Sequence, residues 1–472
     1  MIGTGTRGIS QHTSSEKYST VLRQILSLQF DTADRMISEF AGDPGTGPEM
    51  IYLRNYLEFL TVLMAGQGAV YEKYLYGARE RLDAIQSGYG QFPERLALIS
   101  AIHLQSSFLN ALHGENIKAA RSFYVARRYL RQAESVRPGQ AFHMKLDGLI
   151  NVMAGSAPPE YHWLMRIFGI WGDIQLGLDQ LLEYHGGTSG PDRLESCLFL
   201  LYASQITGQG KGEQDGVCGS ELTLHRYFHA YQALTSGKSL EVIELLDAWR
   251  QAEGEMILVN FDLLLGEALL NSNDPGAGDQ LIRFLENTRG EHFVKTAWHK
   301  LSWHHFLAGD SVAYQKARDN VLTKGNLILD ADKQAYREAA EDLPPNAPLL
   351  RSRLYFDGGF YQKSMEALQQ MKQGELASEK DSLEFTYRMA RIADRLGERD
   401  GAISGYHKVL RAGTKASWYF PSNAALHLGL LYEEAGDTVR ALESYQACLK
   451  MNRSGYRNSI GNKARLGIKR LK

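Results

Sequence analysis

Histidines spaced by one helical turn are the first residues in this sequence that could do chemistry. In "HRYFH", His225 and His229 stand four residues apart, which would place two metal ligands on one face of a helix. The zinc-protease form of this motif needs glutamate directly after the first histidine, and that position holds Arg226. His229 also falls on a helix-packing position of the repeat described below. We interpret the pair as structural, with a metal site as the alternative.

A second histidine cluster is "HKLSWHHF", which contains His299, His304 and His305. Neighbouring residues on a helix point about 100° apart, so these three side chains cannot converge on one ion without help from elsewhere. We again favour a structural role.

Two further segments have a chemical and a structural interpretation. "GQGKGEQDG" resembles a phosphate-binding loop, but it lacks the GK[ST] ending and a preceding strand, so we interpret it as a linker. Asp330 and Asp332 could form an acid–base pair. Their place at the start of a predicted helix explains them more simply, because carboxylates there satisfy free amides and the helix dipole. We therefore predict no catalytic residue, no metal and no cofactor.

The composition fits a globular chain whose total charge attracts neither nucleic acid nor an anionic membrane. The 472 residues are 44% hydrophobic and 22% charged, and 52 Lys and Arg against 54 Asp and Glu leave a formal charge of −2. The apolar runs are too short to span a bilayer, and the start "MIGTGTRGISQHTSSEK" has no apolar secretory core. The chain as given predicts a cytoplasmic protein. The alternative is an exported, periplasmic protein whose N-terminal leader has been lost.

The elements that would position any site are paired helices. "AALHLGLLYEEAGDTVRALESYQACLK" follows the tetratricopeptide pattern of a small residue, Leu-Gly and Tyr in one helix and Ala and an aromatic residue in the next. The matching residues are Ala425, Leu428, Gly429, Tyr432, Ala441 and Tyr445. The small residues allow two antiparallel helices to approach closely, and the large residues fill the gaps between them. We expect Leu428, Gly429, Ala441 and Tyr445 to be buried.

Comparable turns occur at residues 237, 273, 309, 359, 397 and 436, with steps of 36, 36, 50, 38 and 39 residues. This ladder predicts an all-α fold, a right-handed α-solenoid of TPR-like helix pairs. The predicted segments are a disordered start (1–19), irregular helical repeats (20–205), a Gly-rich linker (206–220), TPR-like repeats (221–452) with a helical insertion (321–346), and a basic capping helix (453–472). The insertion is either a helix that shapes a binding surface or a passive spacer.

Several segments resemble a known group of proteins. "LLRSRLYFDGGFYQKSMEAL", "SEKDSLEFTYRMARIADRLG" and "YRNSIGNKARLGIKRL" resemble the C-terminal half of tetratricopeptide-repeat proteins common in Bacteroidetes, and "NLILDADKQAYREA" resembles an insertion that those proteins share. "RIFGIWGDIQLGLDQL" is more distantly similar to a turn in the eukaryotic tetratricopeptide-repeat family thirty-nine. The resemblance implies an all-helical repeat protein without known catalysis.

The repeat register also predicts a binding groove. Positions that face the concave side in this repeat family are occupied here by Tyr227, Tyr231, His299, Trp303, Asn346, Arg353, Tyr387, Arg391 and Asn423. Arg353 and Arg391 lie one repeat apart and are flanked by aromatic residues, which would suit an acidic peptide or a chain terminus. In the alternative interpretation, the two arginines pair with local acids such as Asp394 and Glu384.

The sequence therefore favours a non-catalytic scaffold or adaptor that binds a partner protein or peptide, of acidic character, in the concave groove of a TPR superhelix. It predicts no nucleic-acid partner and no direct membrane insertion. The alternative is a metal-dependent or other hydrolase with its site on the helical scaffold.

Overall fold

The structure of the chain is a computed structural model that describes residues 16–41, 47–65, 68–89, 94–157, 161–207, 222–251, 259–341, 344–371, 376, 378–413, 418–451 and 457–471. Within these residues the chain forms 24 α-helices and no β-strand, so the predicted all-α class is confirmed. The chain divides into two compact units, residues 1–229 (unit 1) and 230–472 (unit 2). Most of the predicted disordered start (1–15) and of the predicted linker (208–220) lies outside the described residues.

Within its described residues, unit 1 contains ten complete helices and the first half of an eleventh, α11 (Thr223–Thr235). The ten are α1 (Glu16–Leu26), α2 (Phe30–Phe40), α3 (Gly47–Ala65), α4 (Gly68–Gly88), α5 (Arg95–Leu112), α6 (Asn116–Val136), α7 (Ala141–Gly155), α8 (His162–Ile167), α9 (Ile174–Gly187) and α10 (Gly190–Thr207).

Unit 2 contains the end of α11 and thirteen further helices within its described residues. These are α12 (Ser239–Gln251), α13 (Val259–Ser272), α14 (Ala277–Asn287), α15 (Val294–Leu307), α16 (Ser311–Thr323), α17 (Asp330–Ala339), α18 (Ala347–Asp357), α19 (Tyr361–Gln369), α20 (Glu379–Arg395), α21 (Arg399–Ala412), α22 (Phe420–Glu434), α23 (Thr438–Met451) and α24 (Arg457–Arg470).

Each of the six predicted turns joins the two helices of one pair, from α11–α12 to α22–α23. Each turn contains a left-handed residue with φ between 61° and 86°: Gly237, Asn273, Gly309, Gly359, Gly397 and Gly436. This conformation ends one helix and lets the chain reverse into the next, and glycine adopts it without a steric penalty. The two helices of each of the five pairs from α13–α14 to α22–α23 pack against each other. The predicted array of TPR-like helix pairs is therefore confirmed, and α17 lies between its third and fourth pairs.

The last pair shows how the repeat residues pack. Leu428, Ala441 and Tyr445 are fully buried, and Gly429 is buried with them, as predicted. A Cβ atom on Gly429 would lie 2.4 Å from the Tyr445 ring, and a Cβ atom on Gly467 of α24 would lie 2.5 Å from it. The ring therefore fills a gap that exists because two glycines, from α22 and α24, leave it open.

Unit 1 departs from the simple pattern near Gly172. There α8 has only six residues, and α9 packs mainly on α7. Glycines explain this packing: a Cβ atom on Gly177 would lie 2.7 Å from the Gly148 carbonyl oxygen, and one on Gly172 would lie 2.6 Å from the Asn151 carbonyl oxygen. The backbones of α7 and α9 thus approach closer than side chains would allow.

Candidate functional site

A cavity of about 520 Å³ opens in unit 2 between α15, α16, α17, α18, α20 and the start of α22. We call it the Arg353 cavity. Its aromatic lining comprises Trp303, Tyr314, Trp418, Tyr419 and Phe420. Its charged lining comprises Arg318, Arg337, Glu338, Glu341, Arg353, Lys380, Asp381 and Glu384, with His299 among them. Four cations face four carboxylates, so the walls carry no large net charge.

The helix α17 forms one wall of the cavity and is anchored by Asp332. This fully buried carboxylate accepts hydrogen bonds from the Phe293 amide (2.8 Å), the Thr296 amide (2.9 Å) and the Thr296 hydroxyl (3.0 Å). Asp330 and Asp332 do begin a helix, but Asp332 satisfies the free amides at the start of α15 instead of those of its own helix. Burial raises the pKa of Asp332, and these hydrogen bonds oppose that effect.

Glu338, in the last turn of α17, pairs with Arg353 of α18. The two terminal guanidinium nitrogens donate to the two carboxylate oxygens at 2.9 and 3.3 Å, a bidentate arrangement. Gln334 donates to the same carboxylate at 2.8 Å. Burial alone would raise the pKa of Glu338, but Arg353 and His299 outweigh burial and hold that pKa well below its usual value.

Arg353 and His299 also pack on Trp303. The guanidinium carbon lies 4.7 Å from the centre of the Trp303 ring, a cation–π contact, and the His299 ring centre lies 4.4 Å from it. The His299 Nε2 atom is 3.9 Å from the nearer Glu338 oxygen. Burial lowers the pKa of His299 to about 4, so the imidazole is neutral at neutral pH.

Two other lining cations have partners within the wall. Lys380 pairs with the Glu341 carboxylate. Arg318 donates to the backbone carbonyls of Ala339 at 2.7 Å and Glu341 at 2.5 Å, at and just beyond the end of α17. The end of α17 is thus tied to both α16 and α20, and Arg318, Arg353 and Lys380 all have acceptors within the protein.

The predicted groove residues divide into two groups. His299, Trp303, Asn346 and Arg353 line the cavity. Asn346 lies at the start of α18, where its side-chain oxygen accepts the Leu349 amide at 3.2 Å and caps the helix.

Tyr387, Arg391 and Asn423 lie outside the cavity lining and form a cluster of their own. The Tyr387 hydroxyl accepts hydrogen bonds from Arg391 at 2.9 Å and Asn423 at 2.7 Å. Arg391 lies over the Phe356 ring at 4.7 Å. The Tyr387 ring packs on Tyr419 and Phe420 of the cavity wall, so this cluster supports the wall from behind.

The remaining two predicted groove residues, Tyr227 and Tyr231, do not line the cavity either. Both are half-buried on α11. The Tyr227 ring packs edge-on against Phe228 at 5.6 Å. Burial raises the pKa of Tyr231.

The acids suggested as local partners of the two arginines form their hydrogen bonds and ion pairs with other residues. Glu384 pairs with Arg388, one turn along the same helix. Asp394 accepts the Tyr406 hydroxyl at 2.7 Å and lies 3.5 Å from His427. The carboxylate that holds Arg353 comes from the insertion helix, which sequence reasoning missed. The available signal was the spacing of Gln334 and Glu338 on one face of α17.

The histidine clusters do not form a metal site in the described part of the chain, where no group of three or more His, Cys, Asp or Glu side chains is placed to hold an ion. The His225 Nε2 atom lies 2.9 Å from the Leu194 carbonyl oxygen in unit 1. His304 and His305 have ring planes 68° apart, and His299 faces Glu338 and Trp303.

Among the described residues, no helix combines the length and the apolar character needed to cross a membrane.

No protein-family model matches the chain, and no curated protein sequence is significantly similar to it. The solved structures that match the chain include TPR proteins. The TPR domain of P58(IPK) is 12% identical with a TM-score of 0.23, and the match covers 89% of this chain and 97% of that one. The APC/C hetero-tetramer Cut9–Hcn1 is 13% identical with a TM-score of 0.27, and the match covers 97% and 96%.

Proposed function

We propose that this chain is a non-catalytic scaffold that binds an extended segment of a partner protein in the Arg353 cavity. The observation that carries the proposal is the cavity itself, which combines five aromatic side chains with matched polar groups in about 520 Å³. Aromatic walls offer contact area to side chains of a peptide, and a few fixed polar groups set its orientation.

We further propose that the bound segment is acidic. Its carboxylate must then replace the internal partner of Arg353. Both terminal nitrogens of Arg353 already contact Glu338, and its Nε lies 3.9 Å from Asp357. A carboxylate of the ligand must therefore take the place of Glu338. Arg353 is suited to this exchange because Trp303 holds the guanidinium plane whichever carboxylate is bound.

A photo-crosslinking residue tests where the partner binds. It replaces Trp418, a half-buried residue of the cavity lining, in one sample and the exposed Val439 of α23 in a matched control. We expect irradiation in lysate of the source organism to give one discrete protein adduct from position 418 and none from position 439. Identical adducts from both positions would rule out the cavity as the binding site.

A peptide from the crosslinked partner then tests the exchange. We expect Arg353→Gln to weaken its binding, and Glu338→Gln to strengthen the binding of a peptide that carries a carboxylate, because the competing internal anion is gone. The amide form of the same peptide should not distinguish Glu338→Gln from the unmodified chain. If it does, the ligand carboxylate does not replace Glu338.

The alternative function is a hydrolase supported by the helical scaffold. The proposal predicts that purified protein turns over no member of a panel of esters, phosphoesters and peptides, with or without added divalent metal. Turnover that Arg353→Gln abolishes would favour the enzyme instead.

We also propose kinship with the tetratricopeptide-repeat group common in Bacteroidetes and, more distantly, with the eukaryotic family thirty-nine. The support is the residue patterns quoted above. The insertion, which contains α17, is one of them, and here it supplies Glu338 to the cavity.

A further inference from the structure

Large apolar side chains are exposed on one region of unit 1. Exposure reaches 53% for Trp163, 69% for Ile167, 65% for Trp171 and 44% for Tyr124. Trp163 and Ile167 stand four residues apart on α8, so they project from the same side of that helix. An exposed cluster of this kind marks a surface that binds something apolar.

These residues lie against α6 and not on a separate loop. The Tyr124 ring of α6 packs on Phe168 at 6.2 Å, directly after α8. Arg127 of α6 donates a hydrogen bond of 2.6 Å to the Trp171 carbonyl oxygen. We call the exposed side of α6 together with residues 162–171 the α6–α8 face.

The charge of the α6–α8 face has one sign. Arg121, Arg128 and Arg131 are exposed on α6, and Arg166 is exposed on α8. Residues 116–133 and 161–172 contain no aspartate or glutamate. Within the described residues, no ion pair joins any of these four arginines to a carboxylate.

The positive charge of this face affects the pKa of Arg127, which lies on the same helix, α6. Burial lowers the pKa of Arg127, the neighbouring Arg131 lowers it further, and Asp147 opposes them. The acids that flank α6 are engaged: Glu115 pairs with Lys118 at 3.3 Å, and Glu134 with His143 at 2.9 Å. Asp173, directly after residues 161–172, accepts the Gln175 and Leu176 amides at the start of α9. The exposed arginines therefore present uncompensated positive charge beside exposed tryptophan.

We propose that the α6–α8 face adsorbs to an anionic phospholipid surface. Trp163, Ile167 and Trp171 enter the interfacial region, where tryptophan is favoured, and the arginines contact the headgroup phosphates. A bilayer surface satisfies both features together, because it accepts protruding apolar side chains without a matching pocket and supplies anions at every position. A single-stranded nucleic acid would use the arginines and the aromatic rings but would leave Ile167 exposed.

Vesicle co-sedimentation of the full chain tests this inference. The vesicles are phosphatidylcholine alone or phosphatidylcholine with about one-quarter phosphatidylserine. We expect binding to the anionic vesicles to be at least about tenfold tighter, since each cation near the surface contributes about 1 kcal/mol, and to weaken in high salt. Equal binding to both vesicles, or no binding to either, would overturn the inference.

Two variants locate the contact. Arg121→Glu with Arg128→Glu should abolish the preference for anionic vesicles. A matched control reverses Arg283 and Arg289, which are exposed in unit 2, and should bind as the unmodified chain does. All variants should keep the circular dichroism spectrum and melting temperature of the unmodified chain, because they are on the surface. An equal loss of binding in both pairs would mean that total charge, and not this face, governs adsorption.

Tryptophan fluorescence gives an independent measurement. We expect anionic vesicles to shift the emission of the chain to shorter wavelength, and brominated lipid to quench it. Trp163→Phe with Trp171→Phe should lose both effects and still sediment with the vesicles, because phenylalanine preserves apolar contact. If the double variant shows the same shift and quenching, other tryptophans contact the lipid and the inference is wrong. Preferential binding of a single-stranded oligonucleotide over the anionic vesicles would also overturn it.

Discussion

In the Arg353 cavity of unit 2, the side chains of Arg318, Arg353 and Lys380 end on acceptors from neighbouring segments. On the α6–α8 face of unit 1, four exposed arginines have no carboxylate partner within the described residues. Both regions combine arginine with tryptophan. The difference is that α17 places Glu338 against Arg353, whereas no described element places a carboxylate against Arg121, Arg128 or Arg166. A cavity whose arginine is already paired favours a ligand that can replace the internal carboxylate. A surface of unpaired arginines favours binding to any extended anionic surface.

We expect the largest loss of stability from removing the Glu338 carboxylate. Glu338→Ala leaves Arg353 without its bidentate partner, although Arg353 is only 17% exposed. We expect the free energy of unfolding to fall by about 3 kcal/mol, the lower end for a buried pair because some solvent reaches it. Urea unfolding monitored by circular dichroism measures it. The matched control is Glu341→Ala, whose pair with Lys380 is more exposed and should contribute less than about 1 kcal/mol.

Acidification should lower the stability of the folded chain through protonation of His299. Its pKa is about 4 in the folded chain and about 6.5 when unfolded, so the unfolded state takes up a proton first as the pH falls. Stability is therefore complete above about pH 6.5 and declines to about pH 4, by about 2–3 kcal/mol from this residue. His299→Gln, which does not titrate, should flatten that part of the profile. The depressed pKa of Glu338 acts lower: its stabilisation is present above about pH 4.5 and is lost as the pH falls further.

Helix packing in unit 2 should tolerate substitution as poorly as its buried ion pairs do. Gly429→Ala places a Cβ atom 2.4 Å from the Tyr445 ring, and we expect a cost of about 1–3 kcal/mol from this overpacking. Gly401→Ala is the matched control, because its Cβ would have no neighbour closer than 3.9 Å and alanine favours helix by roughly 0.5–1 kcal/mol. Thermal unfolding of the two variants should move in opposite directions. A stable Gly429→Ala protein would show that Tyr445 has room to move.

The smallest effect should come from the α6–α8 face. Arg121→Gln and Arg128→Gln remove unpaired surface charge, so each should change the free energy of unfolding by less than about 0.5 kcal/mol. Arg388→Gln provides the contrast, because it breaks a nearly buried pair with Glu384. Chemical denaturation of the three variants compares them. A cost above about 1 kcal/mol for either unit 1 variant would reveal a partner for those arginines and remove the contrast.

The repeat pattern predicted the turns and the buried contacts of the last pair because both depend on residues close in sequence. A turn needs a residue that accepts positive φ, and a close helix contact needs a small residue opposite a large one. The groove stays a prediction. Repeat register marks equivalent helix positions, but it does not show that Tyr387 lies behind Tyr419, or that Asn346 caps α18. Those outcomes depend on how α17, α20 and α22 pack.

The sequence by itself determined the helical class and the register of its six C-terminal helix pairs, because helical periodicity and turn chemistry are local properties of the chain. Only the tertiary structure decided where charge is matched. The formal net charge of −2 does not show that Glu338 neutralises Arg353, or that arginines of α6 and α8 lie beside tryptophans. Electrostatic energy depends on the distances between charges and not on their sum.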